Sequence, residues 1–460
     1  MAQALSRWEP EDTGFWAKEG SGIANRNLWI SIPCLMLAFS VWMLWSVVAA
    51  NLDKAGFKFT KDQLFFLTAL PALSGATLRI FYSFLVPIVG GRRFTALSTA
   101  SLLIPAIGMG FALKDPTTSY STLLALALLC GLGGGNFSSS MANISFFFPK
   151  ARKGYATGMN AGIGNLGVSV VQFVAPLVIS SAVFGASISG DGYLYHNAKT
   201  NVDQLFWLSN AGFIWVPFIL VATVAAWFGM NDIASAKASF SDQAIIFKRK
   251  HNWLMCWLYI GTFGSFIGFS AAFGMLIKAQ FPEVEVAKFA FLGPLAGALA
   301  RPIGGILSDK IGGARLTFWV FAAMAATIMI GILPALHEHQ FTVFLYSFIT
   351  MFILTGLGNG STFRMIPVIF QTERERAAAG KGEAALRQSR LDAAKESAAV
   401  LGFSGAIGAY GGFFIPQGFG TSIKITGAPD MALYTFIAFY LSCMVVTWWY
   451  YSRKNAEMPC

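Results

Sequence analysis

Charge is the first thing this sequence is short of. Only 12% of its 460 residues are Asp, Glu, Lys or Arg, about half the share of an ordinary soluble chain. With 55% hydrophobic residues beside that shortage, a string of domains solvated on all sides is excluded. Cysteine is scarce as well. Cys34, Cys130, Cys256, Cys443 and Cys460 fall in apolar segments or at the last position, with no pairing or metal-ligand spacing. They read as small core hydrophobes, and no disulfide, metal centre or cofactor is expected. No strict apolar–polar alternation runs through the long segments, which excludes an outer-membrane barrel. Residues 1–27 are polar and no short apolar stretch with a small-residue cleavage site precedes Leu28, so no cleavable leader is expected.

What is present is long, continuous apolar sequence containing 43 Phe, 13 Trp and 47 Gly. Apolar blocks cover residues 28–50, 62–89, 94–113, 119–148, 154–184, 205–230, 253–281, 287–308, 316–335, 342–370, 396–423 and 431–452. Each is long enough for a helix across a hydrocarbon core about 30 Å thick. The expected fold is all-α and polytopic, with twelve transmembrane helices. Polar connections at 185–204 and 231–250 interrupt the series, and 372–395 reads as a charged, Ala-rich helical extension. The expected organisation is an amino-terminal segment (1–27), a six-helix half (28–230), a central connection (231–252), a second six-helix half (253–452) and a tail (453–460).

Lysine and arginine orient the spans. One side, with both termini and the central connection, carries 22 of the 33 basic residues, and the other carries 8, from Lys54 to Lys424. Cytoplasmic loops hold the excess, so both termini are expected inside. The net charge of +11 is thereby a topology signal and not a nucleic-acid footprint. Three arginines are left over, Arg79, Arg301 and Arg364, and all three fall inside predicted spans.

The two sets of six repeat. Arg79 precedes the turn Gly90-Gly91-Arg92-Arg93 by 11 residues, and Arg301 precedes Gly312-Gly313-Ala314-Arg315 by the same 11. Gly131-Leu132-Gly133-Gly134-Gly135 matches Gly356-Leu357-Gly358-Asn359-Gly360 at an offset of 225, close to the 222 separating the arginines. The run from Ala161 to Gly167 matches Gly405 to Gly411 at 244. Parallel halves of this kind bind substrate near mid-membrane. Gly305-x-x-x-Asp309-Lys310-x-Gly312-Gly313-x-Arg315 resembles the loop signature of the major facilitator superfamily, and its first-half copy is degraded, with Ser83 and Pro87 in place of Gly and Asp.

Eleven helical residues rise about 16 Å, which places Arg79 and Arg301 near the midplane, too deep for comfortable snorkelling. A buried arginine needs an anion. Yet all 22 acids and all 4 histidines fall in connections, termini or span edges. The counter-ion is therefore expected to be the substrate, a small anion met by a planar donor fork. Asn165 offers an amide to the same ligand. Glycine stripes (Gly158, Gly162, Gly164, Gly167 and Gly402, Gly405, Gly408, Gly411) suit close helix packing or bare backbone beside a cavity. Phe39, Phe137 and Phe263 lie mid-span, and Tyr259 shares a helix face with Phe263 at i, i+4. Arg364 is either a third cavity charge or a vestibule charge.

Longer motifs carry a more specific resemblance. Arg26-Asn27-Leu28-Trp29-Ile30-Ser31, the run Ser138–Ser145 with Phe146-Phe147-Phe148-Pro149-Lys150, Thr262–Ser270, and Gly411-Gly412-Phe413-Phe414-Ile415-Pro416 resemble the bacterial nitrate/nitrite porter family, from about Trp8 to Trp448. The two glycine stripes resemble that family's nitrate signature segments. The resemblance implies a bacterial inner-membrane transporter, monomeric, with nitrate and nitrite as substrates and no nucleic-acid partner. It implies substrate gripped by Arg79 and Arg301, contacts at Asn165 and Tyr259, aromatic walls at Phe137 and Phe263, and close backbone at Gly402. Ala161 stands for a usual Gly, Gly405 for a Ser, and Arg364 for a neutral polar residue. The family contains nitrate/nitrite exchangers and proton-coupled nitrate importers. Exchange is the expectation here, because no Asp, Glu or His lies within the spans; the alternatives are the importer and, from another class, an anion channel or anion-sensing protein. An enzyme is not expected, since no acid–base pair is buried there.

Overall fold

A chain segment surrounded by lipid must satisfy its own backbone hydrogen bonds, so each apolar block becomes a helix. A computed structural model describes residues 4–197, 201–234 and 245–460. Of Ser83, Phe84, Pro87, Lys150, Asn197 and Leu391 only the backbone is described, so the side chains of the degraded signature lie outside it. So do residues 235–244 of the central connection.

Among the described residues twelve helices are long and apolar enough to cross a membrane. They are α1 (Thr13–Asn51), α2 (Lys61–Val89), α3 (Gly91–Ala112), α4 (Tyr120–Phe147), α5 (Ala151–Ile179) and α6 (Asn210–Gly229). The series continues with α7 (Lys250–Gln280), α8 (Val286–Ile311), α9 (Gly313–His337), α10 (Phe341–Ala378), α11 (Glu383–Thr426) and α12 (Asp430–Ser452). The polar connection before α6 holds a hairpin that apolar periodicity does not announce. Its strands β1 (Tyr193–Asn197) and β2 (Val202–Phe206) pair antiparallel, with Tyr193 opposite Phe206 and His196 opposite Asp203. The charged 372–395 segment is two helical arms, the end of α10 and the start of α11, joined by a turn at Gly380 and Gly382 with φ of 78° and 88°.

Contacts divide the chain into two compact units. The first contains residues 1–237, 268–295 and 412–427. It therefore includes α1–α6 and the carboxyl-terminal ends of α7 and α11. Those ends are fastened inside the unit by charge. Lys278 Nζ donates to Asp53 Oδ1 at 2.5 Å and to the Ala50 carbonyl at 2.7 Å, and Lys424 Nζ meets Asp62 Oδ2 at 2.9 Å. Gln172 Nε2 on α5 donates to the Ser270 carbonyl at 2.7 Å and to Ser46 Oγ at 3.1 Å. At the unit's opposite end, the buried Asp232 carboxylate accepts from the Arg92 backbone N–H at 2.9 Å and from its Nε at 3.2 Å, capping α3.

The second unit contains residues 238–267, 296–411 and 428–460. Its basic end is a charge network. Arg249 reaches Glu373 at 3.2 Å and Glu396 at 3.0 Å, while Arg374 forks onto both oxygens of Glu396 at 2.9 and 2.5 Å. The tail closes over this end, with Lys250 Nζ on Glu457 at 2.6 Å and Arg376 donating to the Glu457 carbonyl at 2.6 Å. The Glu457 carboxyl is held below its ordinary value, chiefly by the bond from Lys250.

Candidate functional site

In the first unit the site is built around Arg79 on α2. Its side chain is completely buried. Glycines permit that depth: a Cβ on Gly134 of α4 would stand 2.6 Å from Trp42 Cε2 and 2.8 Å from the Gly75 Cα of α2, so α2 and α4 meet there backbone to backbone. The freed Gly134 carbonyl accepts from Arg79 Nε at 2.7 Å. Aromatic faces surround the guanidinium. Its Cζ lies 4.8 Å from the Trp42 ring centre, 4.8 Å from that of Phe137 and 5.9 Å from that of Phe39. Ring faces stabilise a cation without accepting hydrogen bonds in the guanidinium plane, so they hold the charge without consuming the donor fork.

Asn165 ends the first helical stretch of α5 and is buried, and neither its Oδ1 nor its Nδ2 has a hydrogen-bond partner among the described residues. Gly167, two residues on, lies against Phe39, where a Cβ would stand 2.9 Å from the Phe39 Cβ. That contact brings the end of the stripe to the wall of the Arg79 cage.

The second unit repeats the plan with different side chains. Arg301 on α8 is 8% exposed, donates from Nη2 to the Tyr259 hydroxyl at 3.5 Å and lies over the Phe363 ring at 5.3 Å. Its Nη1 has no hydrogen-bond partner among the described residues. Gly356 and Gly360 play the part of the first-unit glycines, since a Cβ on either would collide with the carbonyl oxygens of Gly297 and Arg301. α7 changes to a π-helical stretch, Ile260–Gly264, immediately after Tyr259. Such insertions re-aim side chains and often mark functional sites. Here Tyr259 and Phe263 stack at 5.4 Å with planes 22° apart, and both are buried.

The expected residues thus fall into two clusters, each described within its own unit: Arg79 with Phe137 and Phe39, and Arg301 with Tyr259 and Phe263. A Cβ on Gly402 would meet open space, whereas one on Gly408 would meet the Tyr259 ring at 2.7 Å. The stripes divide the same way in both units. At Gly158, Gly162 and Gly402 no heavy atom of the described residues lies within 4 Å of a Cβ, whereas Gly164, Gly167, Gly408 and Gly411 are tightly packed. One end of each stripe is bare and the other is a helix contact. Arg364, read as a cavity or a vestibule charge, is 48% exposed and its Nε pairs with Asp309 Oδ1 at 2.5 Å, which ties it to the Gly305–Arg315 signature. Trp42 and Phe363 are the ring partners that sequence reasoning missed. Their only signals are the i, i+3 spacing from Phe39 and adjacency to Arg364.

Comparison with known proteins follows the same geometry. The profile of the Major Facilitator Superfamily matches residues 30–382. The chain is 52% identical over 459 residues to the "Nitrate/nitrite transporter NarU" of Salmonella typhimurium, covering 98% of this chain and 97% of that one. It is 39% identical over 465 residues to the "Probable nitrate/nitrite antiporter NarK2" of Thermus thermophilus, covering 99% and 98%. Among solved structures, a D-xylose–proton symporter aligns with a TM-score of 0.64 at 13% identity, covering 92% of this chain and 96% of that one, which speaks to the fold alone. Twelve apolar helices, a set of six spans that occurs twice and 52% identity over nearly the full length agree: the chain belongs to the Major Facilitator Superfamily and, within it, to the bacterial nitrate/nitrite porter family.

Proposed function

We propose that this chain is a nitrate/nitrite transporter of the bacterial inner membrane, with both termini cytoplasmic, that exchanges one anion for the other by alternating access. Arg79 and Arg301 donate to the anion, Asn165 and Tyr259 add neutral donors, Phe137 and Phe263 wall it, and bare backbone at Gly402 leaves room for passage. The two six-helix halves, 28–230 and 253–452, are the moving parts. The observation that carries the reading is the completely buried Arg79, whose charge meets aromatic faces from α1 and α4. Relatives named as nitrate/nitrite transporters over nearly the whole length supply the substrate class.

Exchange follows from charge. Two arginines serving one anion repel each other when it is absent, so conversion between states is fast only when loaded. A proton-coupled importer needs a titratable group in the path. Glu396 is buried at the edge of the eleventh span, but Arg374 and Arg249 take both its oxygens. Counterflow in proteoliposomes tests the reading. Labelled nitrate should enter vesicles loaded with nitrite and not empty ones. Uptake into empty vesicles driven by an acid-outside gradient alone would overturn exchange, and a linear voltage-driven current would indicate a channel.

A further inference from the structure

Asn252 lies on α7, seven residues before Tyr259 within the regular α-helical stretch Lys250–Tyr259. Seven residues are two turns, so the two side chains leave the same face of the helix about 10 Å apart along its axis. Tyr259 is the partner of Arg301. Asn252 therefore stands in line with that arginine's site, toward the end of the second unit where α7 begins. It is completely buried, and neither its Nδ2 nor its Oδ1 has a hydrogen-bond partner among the described residues. Native cores hold few such groups, and each calls for an explanation.

The internal repeat supplies a counterpart against which this amide can be judged. At the 225 offset of the glycine runs, Asn252 corresponds to Asn27 on α1, which is also completely buried. Asn27 is fully matched: its Nδ2 donates to the Ile23 carbonyl at 2.8 Å and to Asn231 Oδ1 at 3.1 Å, and its Oδ1 accepts from the Asn231 backbone N–H at 2.8 Å. The same offset sets Ala456 against Asn231, and alanine offers no side-chain partner. The second unit thus keeps the buried amide without the group that satisfies it in the first.

The surroundings suit a passing anion. Three contacts fix the level of α7 against α11: Arg249 to Glu396 at 3.0 Å, Cys256 to Ser404 at 3.6 Å, and Tyr259 beside Gly408. Asn252 falls between the first two, and Gly402, within a turn of that level, has open space where a Cβ would be. The charges nearby cancel, because Arg249 and Arg374 are both engaged by Glu373 or Glu396.

We propose that Asn252 is a hydrogen-bonding station for the transported planar oxyanion, between Arg301 and the basic end of the second unit. Its Nδ2 donates one neutral hydrogen bond, which eases an anion out of an arginine site without trapping it. The inference rests on the transport reading above and adds a residue and a path to it.

The experiment uses the full chain in nitrite-loaded proteoliposomes, with labelled nitrate outside and thermal unfolding measured in parallel. Asn252→Leu removes both unmet atoms at similar volume. Its unfolding temperature is expected at or above wild type, while maximal exchange falls about fivefold, the worth of one neutral hydrogen bond, with little change in apparent nitrate affinity. Asn252→Ala and Asn252→Ser form a second pair that decides the matter if the leucine variant does not fold: serine keeps a donor and should exchange faster than alanine. Equal rates in alanine, serine and wild type would overturn the station and leave a resident water. Failure of wild type to exchange nitrate would overturn the transport reading itself. Wild-type exchange with an unaffected Asn252→Leu would remove only Asn252.

Discussion

Replacing Arg79 with lysine keeps the charge and removes the fork, which makes it the sharpest test of how the charge is used. In the structure the guanidinium has two duties at once. Nε is fixed on the Gly134 carbonyl at 2.7 Å, and the group's plane is set by Trp42 and Phe137, each 4.8 Å from Cζ. An ammonium's three donors diverge from one nitrogen, so it cannot hold the carbonyl as Nε does and also present a flat pair of donors to an anion. Losing one charge-assisted hydrogen bond costs about 1.5–3 kcal/mol, and a weakened ring contact adds ~1 kcal/mol. At 1.4 kcal/mol per tenfold, nitrate exchange by Arg79→Lys should fall by roughly 10² to 10³. The variant should still fold, because charge and most of the apolar stem are retained. Labelled-nitrate counterflow gives the rate, and nitrate-dependent thermal stabilisation reports binding separately. Wild-type exchange by the lysine variant would show that the buried charge alone suffices, and the donor-fork argument would fail for Arg301 as well.

Other consequences are as direct. Nitrite should compete with nitrate uptake, while sulfate and phosphate at equal concentration should not, because a planar donor fork between ring faces matches a flat anion better than a tetrahedral one; strong sulfate competition would mean the aromatic walls are misread. Gly134→Ala must push Trp42 or Gly75, since its Cβ would stand 2.6 Å from the one and 2.8 Å from the other, and overpacking of this kind costs about 1–3 kcal/mol. Gly402→Ala meets open space and should unfold at the wild-type temperature; equal destabilisation of the two variants would refute the contrast. Lys278→Asp should slow exchange by breaking the tie to Asp53, and adding Asp53→Lys should restore it, a coupling that additive rates would disprove. The Glu457 tie should persist through neutral pH, because a lowered carboxyl value means its contribution is lost only as pH falls below the ordinary glutamate range; tail protection by hydrogen exchange that weakened between pH 8 and 6 (about the neutral range) would contradict this.

The spans were legible because lipid leaves the backbone one choice, and the repeat was legible because Arg79 and Arg301 sit the same 11 residues from matched glycine turns. Burial of both arginines is visible in that spacing. Their surroundings are not. Trp42 reaches Arg79 because Gly75 and Gly134 remove the atoms that would hold the ring away, a property of two helices at once. Tyr259 and Phe263 stack because α7 turns π-helical at Ile260, and no residue in Ile260–Gly264 signals that change of pitch. The hairpin at Tyr193–Phe206 and the Arg364–Asp309 pair are likewise products of tertiary contact.

The repeat also explains why sequence symmetry locates a site better than it assigns roles. Equivalent positions began with one physical task and now carry different ones. Asn27 bolts α1 to the segment after α6, whereas Asn252 has no such partner among the described residues. At the same 225 offset, Asp232 caps α3 while Glu457 holds Lys250. Gly134 supplies the carbonyl that anchors Arg79, but its counterpart Asn359 is a buried amide whose Oδ1 is unmatched among the described residues. The divergences at Asn252 and Asn359 place polar atoms in the second unit without a hydrogen-bond partner among the described residues. Unmet polar atoms in a low-dielectric interior are costly unless a ligand or water satisfies them. Matched positions such as Arg79 and Arg301 therefore carry the charge of the proposed site, and further side chains that meet a mobile anion are to be sought where the two copies have stopped matching, as at Asn252 and Asn359.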